Sequence, residues 1–231
     1  MKPTAPNNKA HDFVNCLIVC NGKISKRLLA KFYKLKKSEN KFYVIAADGA
    51  ANTLHKYKLA PHVIIGDLDS VKPKILKHYR SKKVAIKKVT DQNLNDFEKA
   101  LQQALIHKYK NIFVIGATGK RLDHTLNNLS VLKRNYKKAN IRLIDTHFEI
   151  FFARGKTEFV YRKNETVSLL AMPKAAGIKT GGLKYPLNNE TLEFGKRQGA
   201  LNSSEEKTVC IEFAKGDLLV FRRHFGKISV L

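Results

Sequence analysis

Tryptophan is absent from this chain, and cysteine and acidic residues are scarce. The 231 residues contain no Trp, three Cys and 19 Asp or Glu. Without Trp, any aromatic wall against a ligand has to come from Tyr or Phe. Against the few acids stand 44 Lys and Arg, which gives a net charge of +25. This excess favours anionic partners such as nucleotides, nucleic acid or acidic membrane surfaces.

The cysteines do not suggest a disulfide framework. Cys16 and Cys20 lie four residues apart in an apolar run, and in a strand they would be separated by roughly 13 Å at ~3.3 Å per residue. That separation is too large for a disulfide, and the neighbourhood lacks further metal ligands. We therefore expect buried thiols in a protein of a reducing compartment.

Long hydrophobic runs are also missing. No segment approaches the ~18 apolar residues that a membrane span needs. The start of the chain, Met1 to His11, is polar and contains two prolines. It lacks the apolar core and cleavage site of a signal peptide, so we expect a frayed terminus. Together these features predict a cytoplasmic protein that does not bind membranes.

The first part of the chain alternates short β-branched runs with helix-like segments. Strands that are apolar on both faces and alternate with helices indicate a mostly parallel sheet covered on both sides. The runs are residues 14–19, 42–46, 63–65, 84–86, 112–115 and 141–144. The helical candidates include residues 24–36, 95–109 and 121–136. The pattern predicts a Rossmann-like α/β domain at 13–147.

After Phe148 the helical period disappears. Short β-type runs at 151–152, 158–161, 166–171, 208–213 and 218–221 follow one another. Turn signals such as Gly181-Gly182 and Asn188-Asn189 separate them. This composition predicts a small antiparallel β-sandwich domain at 148–231.

Two carboxylates follow the third apolar run, in Gly66-Asp67-Leu68-Asp69-Ser70. In an extended backbone Asp67 and Asp69 would project to the same side, and they would repel each other unless a cation lies between them or one is protonated. Mg²⁺ binds through one or two carboxylates, waters and substrate phosphate oxygens. The alternative is a turn with an Asx hydrogen bond, for which one Asp would suffice. The pair favours a metal–nucleotide site.

A second acidic segment, Asp91 to Glu98, precedes a predicted helix. Asn95, followed three residues later by Glu98, is typical of a capping box, and acids there complement the helix dipole. Capping does not require Asp91, Gln92 or Asp96. A third carboxylate from this segment would complete the Mg²⁺ site, and Gln92 could donate to a substrate.

Two small-residue turns also follow apolar runs. Asp48-Gly49-Ala50-Ala51-Asn52 opens a helix, and Asp48 taken alone is expected to cap it. Gly116-Ala117-Thr118-Gly119-Lys120-Arg121-Leu122-Asp123-His124 places backbone N–H groups and two basic side chains at a helix N-terminus. It is not a P-loop, because Arg121 follows Lys120 and the glycines are too close together. The segment fits a polyphosphate cradle, with an ordinary turn of solvated basic residues as the alternative.

These motifs, in this order, resemble those of the thiamine pyrophosphokinases. The set comprises residues 48–52, 66–70, 91–101 and 116–124, and it continues through 182–187 and 199–202. The resemblance covers most of the chain, from Phe13 to Leu231. Three positions depart from the family pattern: Leu201 stands where Ser is usual, and Asn93 and Asn95 stand where Asp and Thr are more common.

The resemblance implies a Mg²⁺-dependent transferase that moves pyrophosphate from ATP, its co-substrate, to the hydroxyl of thiamine. The products are thiamine diphosphate and AMP. It also implies that 13–147 is a nucleotide-binding catalytic domain, and that 148–231 contributes to the thiamine site and to the interface of a homodimer.

Family roles carry over onto matching positions of this chain. The residues implied to act catalytically are Asp67, Asp69, Asp96 and Arg121, of which the three carboxylates would bind Mg²⁺. The residues implied to contact ATP are Asp48, Gly49, Ser70, Gly116, Thr118, Gly119, Lys120, Arg121, Asp123 and His124. The residues implied to face thiamine are Asp91, Gln92 and Asn202.

Two other functions remain open at this point. A related diphosphokinase acting on another hydroxymethyl heterocycle, such as a pterin, would share the ATP and metal motifs. A basic RNA-binding protein would explain the net charge. However, the basic runs at 82–83, 87–88, 133–134 and 137–138 are spread over several elements without a recognisable binding motif. Solvated helix faces explain them better, and we expect no specific nucleic-acid partner.

Overall fold

Residues 15–37 and 42–224 are described by the computed structural model of the chain. The expected frayed terminus, Met1 to His11, lies outside these residues. The described residues form two units. The first holds the chain up to residue 131 together with Lys138–Thr146, and the second holds Leu132–Lys137 and the chain from His147 onward. No described helix is long and apolar enough to span a membrane.

Parallel strands form the sheet of the first unit. They are β1 (Asn15–Val19), β2 (Phe42–Ala47), β3 (Val63–Gly66), β4 (Ala85–Lys88), β5 (Asn111–Ile115) and β6 (Asn140–Ile144). Their order is β4-β3-β2-β1-β5-β6, and every pair is parallel. All residues of β1 and β2 are buried, as expected for strands covered on both faces. The predicted parallel sheet is confirmed.

Helices connect these strands. They are α1 (Lys26–Lys37), α2 (Ala50–Lys56), α3 (Pro73–Ser81), α4 (Asp96–Ile106) and α5 (Leu122–Asn135). Helix α3, which begins with a proline at its first turn, was not among the helices named from the sequence. The chain runs from β1 to β2 on one side of β1, whereas β5 pairs on the other side. Such a reversal of strand order places a ligand crevice at the carboxyl ends of the central strands.

The second unit is an antiparallel β-structure built around one long strand. Its strands are β7 (Phe148–Phe152), β8 (Thr157–Val160), β9 (Thr166–Gly181), β10 (Asn188–Glu193), β11 (Gly199–Ser203), β12 (Thr208–Glu212) and β13 (Lys215–Arg223). Strand β9 pairs with β10, β11, β12 and β13. Alternate side chains such as Val167, Leu169 and Ala171 enter the core of this unit. The predicted all-β second part is confirmed.

The sequence underestimated the length and number of these strands. β9 continues well beyond residue 171, and β10 and β11 were not predicted. The predicted turn at Asn188-Asn189 is wrong, since β10 begins at Asn188. Asn189 adopts a left-handed backbone with φ of 58°, next to a shift in the pairing of β10 with β9. A bulge inside a strand therefore carries the same residue signal as a turn.

Candidate active site

Three carboxylates converge beyond the carboxyl ends of β2 and β3. Carboxylate oxygens of Asp48, Asp67 and Asp69 all lie within 4.8 Å of one another. The parallel pairing of Ala47 with Ile65 brings the two strand ends side by side. A Cβ atom on Gly66 would lie 2.7 Å from the Cβ of Asp48, so only glycine allows this approach. We call these three residues the acidic trio.

Asp48 is the most buried member of the acidic trio. Its backbone is left-handed, with φ of 41°, and its Oδ1 atom is buried without a hydrogen-bond partner. Burial raises the pKa of this carboxyl, and the nearby charges of Asp67 and Asp69 act in the same direction. The predicted capping role of Asp48 is wrong, because Gly49 is the N-cap of α2 and no side chain caps it.

The segment that holds Asp67 and Asp69 is a turn. Leu68 has a φ of 71°, so the predicted extended backbone is wrong here. The backbone N–H of Asp69 donates to Asp67 Oδ1 at 3.3 Å, and the Ser70 hydroxyl donates to Asp69 Oδ1 at 2.9 Å. The Asx hydrogen bond, which was the alternative to a cation site, is present. Both carboxylates nevertheless point to one place, because the turn is tight.

Helix α4 begins beside the acidic trio. The Asn95 side chain accepts from the N–H of Glu98 at 2.8 Å, which confirms the predicted cap. The same amide donates to Asn128 Oδ1 at 3.0 Å, and Asn128 donates to the carbonyl oxygen of Ala117 at 2.7 Å. These bonds tie the start of α4 to the turn after β5.

Asp96 and Lys99 face the acidic trio from the first turn of α4. The Lys99 ammonium lies 3.7 Å from Asp67 Oδ2 and 3.7 Å from Asp96 Oδ1, and Lys99 is buried. Burial and then the negative charge of Asp48 raise the pKa of Asp96 to about 6, although Lys99 opposes the shift. Burial raises the pKa of Asp67 as well, but the Asp69 N–H and Lys99 bring it below its ordinary value.

The predicted phosphate cradle is built from two turns. Gly116 and Gly119 have φ of 71° and 81°. The N–H of Gly22, in the turn after β1, donates to the Gly116 carbonyl at 2.7 Å, and the N–H of Lys23 donates to the Thr118 carbonyl at 3.1 Å. The turn after β1 was not identified from the sequence, although its place at a strand's carboxyl end could have revealed it.

Basic side chains extend from the second turn. Lys120, Arg121 and His124 are exposed. The Arg121 Nε donates to Asp123 Oδ1 at 3.1 Å, and a terminal guanidinium nitrogen donates to Oδ2 at 2.5 Å. This fork lowers the pKa of Asp123 to about 2. The guanidinium is thus held beside the helix start while remaining open to solvent.

These elements surround a cavity of about 390 Å³. The predicted site residues that line it are Asp67, Ser70, Gln92, Asp96, Gly116, Thr118, Lys120, Arg121 and His124. Lining residues that the sequence reasoning missed include Cys20, Asn21, Gly22, Lys99 and Asn128. Asp69, Gly119 and Asp123 lie next to lining residues in the chain but do not line the cavity themselves, and neither do Asp48 and Gly49.

The thiols of Cys16 and Cys20 and the carboxylate of Asp91 contribute to the local structure. Cys16 and Cys20 are free and buried, as predicted, and burial raises the pKa of both. Asp91, predicted to face thiamine, accepts the N–H of Asn93 at 2.9 Å and does not line the cavity. Asp91 therefore shapes the loop that presents Gln92.

Asn202 belongs to the second unit, where its side chain organises a loop. Its Oδ1 accepts from the N–H groups of Tyr185 at 3.1 Å and Ser203 at 2.8 Å, and its Nδ2 donates to the Tyr185 carbonyl at 2.6 Å. Tyr185 and Leu201 next to it expose 62% and 83% of their surface. The buried amide thus supports an exposed apolar patch.

The chain matches two family models. The model described as "Thiamin pyrophosphokinase, catalytic domain" matches residues 35–144, and "Thiamin pyrophosphokinase, vitamin B1 binding domain" matches residues 156–218. The thiamin pyrophosphokinase 1 of Caenorhabditis elegans is 30% identical over 196 residues, which are 75% of this chain and 74% of that protein. The thiamine pyrophosphokinase of Bacillus subtilis is 28% identical and is matched over 77% of this chain and 86% of its own length.

Solved structures share the fold. The crystal structure of the Bacillus subtilis thiamine pyrophosphokinase superposes with a TM-score of 0.79 at 24% identity, covering 90% of this chain and 98% of that chain. The crystal structure of the yeast thiamin pyrophosphokinase gives a TM-score of 0.79 at 23% identity, covering 94% and 87%. Both the α/β unit and the β unit therefore have counterparts in known structures.

Proposed function

The chain belongs to the thiamine pyrophosphokinase family, and from this premise we propose how its own residues transfer pyrophosphate from ATP to thiamine. The family membership inferred from the ordered motifs is confirmed. The comparisons lend no support to the pterin and RNA-binding alternatives. The observation that carries the proposal is the acidic trio, of which Asp67 lines the cavity together with residues of the turns after β1 and β5.

We propose that the trio binds Mg²⁺. Three converging carboxylates, one with a buried oxygen that has no partner, fit a hard divalent cation, which takes oxygen ligands. Asp67 and Asp69 are the ligands expected from the sequence. Asp48 faces the same metal position. Asp96, the third expected ligand, lies beside that position, and the Lys99 ammonium is 3.7 Å from its Oδ1 atom. Bound there, Mg²⁺ would neutralise phosphate charge and orient the transferred group.

ATP binding is assigned to the turns around the cavity. The backbone N–H groups of the Gly116–Gly119 turn stand at the start of α5, where a helix N-terminus favours anions. Lys120, Arg121 and His124 add positively charged or polar donors on the exposed rim. We assign Asp48, Gly49, Ser70, Thr118 and Asp123 to positioning the nucleotide through these turns.

The chemistry that these residues support is an in-line displacement. The thiamine hydroxyl attacks the β-phosphorus of ATP, and AMP leaves. Arg121 and Lys120 would neutralise the charge that develops on the phosphate oxygens. Asp96 would accept the hydroxyl proton, because its raised pKa, about 6, suits a base that works near neutral pH.

The thiamine side is assigned to both parts of the chain. Gln92 lines the cavity and would donate to thiamine, with Asp91 shaping its loop. In the second unit, Asn202 would act through the exposed patch that it supports. We propose 13–147 as the catalytic domain and 148–231 as the part that contributes to the thiamine site and to a homodimer interface.

One assay tests the activity. Purified protein with ATP, Mg²⁺ and thiamine should release AMP in equal amount with thiamine diphosphate. Formation of ADP, or AMP release that does not depend on thiamine, would refute pyrophosphate transfer. Asp69→Asn should remove nearly all turnover without loss of fold, whereas Glu206→Gln, which removes an exposed charge in the second unit, should be neutral.

A further inference from the structure

Lys99 occupies an unusual place for a lysine. It is buried on α4 next to the buried residues Ala100 and Leu101, and its side chain is 2% exposed. A buried ammonium is costly unless it is paired. Its partners are Asp67 and Asp96, each at 3.7 Å. Asp96 precedes Lys99 by one helical turn, so both side chains point along one helix face.

The carboxylates therefore divide into two groups that share Asp67. One oxygen from each of Asp48, Asp67 and Asp69 surrounds a first position. Asp67 Oδ2, together with Asp96 Oδ1, faces a second position that the Lys99 ammonium fills. Without a positive charge there, the Asp67 and Asp96 carboxylates would repel each other.

We propose that Lys99 is a built-in second cation of this site. Its ammonium neutralises the Asp67–Asp96 pair, so that a single divalent ion at the acidic trio is enough to balance the remaining negative charge. Phosphoryl-transfer sites often use two metal ions about 4 Å apart. Here a side chain takes the place of one of them. The inference rests on the proposed function for the divalent ion at the acidic trio. Lys99 is a positioning residue in this account, because it acts through the two carboxylates.

Metal stoichiometry tests the proposal without any substrate. Mn²⁺ is titrated into substrate-free protein, and free Mn²⁺ is followed by electron paramagnetic resonance. The wild-type chain should bind about one ion tightly, and Lys99→Met should bind about two, because the emptied position then holds a second divalent cation. Lys99→Arg, which keeps the charge, should stay at about one. The net charge of +25 keeps adventitious cation binding low.

The double variant Lys99→Met with Asp96→Asn locates the second ion. It should return to about one Mn²⁺, because a single carboxylate oxygen remains at the second position. Lys99→Met with one ion and unchanged affinity would overturn the proposal, as would two ions in the double variant. If Lys99→Met is unfolded without metal, refolding that binds two Mn²⁺ ions supports the proposal, and failure to refold when Mn²⁺ is added overturns it. No substrate is present, so loss of pyrophosphate transfer leaves this result unaffected.

Discussion

The backbone N–H of Gly22 donates to the carbonyl oxygen of Gly116 at 2.7 Å, which joins the turn after β1 to the turn after β5. A Cβ atom on Gly22 would lie 2.3 Å from that same oxygen. The two turns form one wall of the cavity. Glycine at position 22 is therefore a requirement of the cavity and not only of the turn.

Gly22→Ala should weaken both the fold and the site. The added methyl group meets backbone that has little freedom to move, so we expect a loss of about 2–3 kcal/mol in the free energy of unfolding and a raised KM for ATP. Denaturant unfolding and initial rates measure these effects. Gly181→Ala is the control, because its Cβ would have an ordinary contact with Cys210 at 3.8 Å. Equal stability of the two variants would contradict the argument.

Structural features that depend on residues close together in the sequence were mostly predicted correctly, whereas several features that depend on residues far apart in the sequence were missed. The strands of the first unit followed from local apolar runs, since residues buried on both faces need no knowledge of their neighbours. Gly22 was missed because its partner, Gly116, comes from a distant turn. Strand β10, with the sequence NNETLE, is mostly polar and is held by pairing to β9, which local composition does not reveal.

The carboxylates show the same limit. The sequence identified Asp67 and Asp69 as a pair, and they do converge. From the sequence, Asp48 taken alone was expected to cap a helix. Its approach to Asp67 and Asp69 was not visible there, because it depends on the register of β2 and β3. Lys99 appeared as one lysine among many in a basic chain. Only the packing of α4 shows that its ammonium is buried between two acids.

The raised pKa of Asp96 predicts how stability changes with pH in the metal-free protein. Its folded value, about 6, exceeds the unfolded value of about 3.9, so the folded state binds the proton more tightly. The stabilisation is present below the unfolded value and is lost as pH rises to about 6. Because Asp96 is 42% exposed, we expect only about 1 kcal/mol after solvent screening.

Comparison with Asp96→Asn tests this effect. Denaturant unfolding at several pH values between 4 and 7, with a chelator present, should show a stability difference between wild type and variant that changes in this interval. The charge of Asp48 acts on Asp96, so the difference also contains the interaction between these two carboxyls. A difference that stays constant with pH would show that Asp96 titrates normally.

Arg121 should matter for turnover and little for stability. Its ion pair with Asp123 is largely exposed, and exposed ion pairs contribute little to folding. Arg121→Ala should lower kcat about 100-fold, as for loss of one preorganised charged donor. The control is Arg197→Ala, which removes another exposed ion pair, to Glu190 in the second unit. The two variants should show equal changes in melting temperature, but only Arg121→Ala should have a lower kcat. A normal kcat for Arg121→Ala would exclude a catalytic role for Arg121.

Leu201 combines two features that are unfavourable for leucine, a left-handed backbone with φ of 58° and 83% exposure. Leu201→Asn should stabilise the second unit by about 1 kcal/mol, because asparagine tolerates this conformation. If the exposed side chain serves thiamine binding, the same change should raise the KM for thiamine and leave that for ATP unchanged. Val160→Asn, at a similarly exposed position of β8, should alter neither KM. A more stable variant with normal thiamine kinetics would place the thiamine contact of the second unit elsewhere.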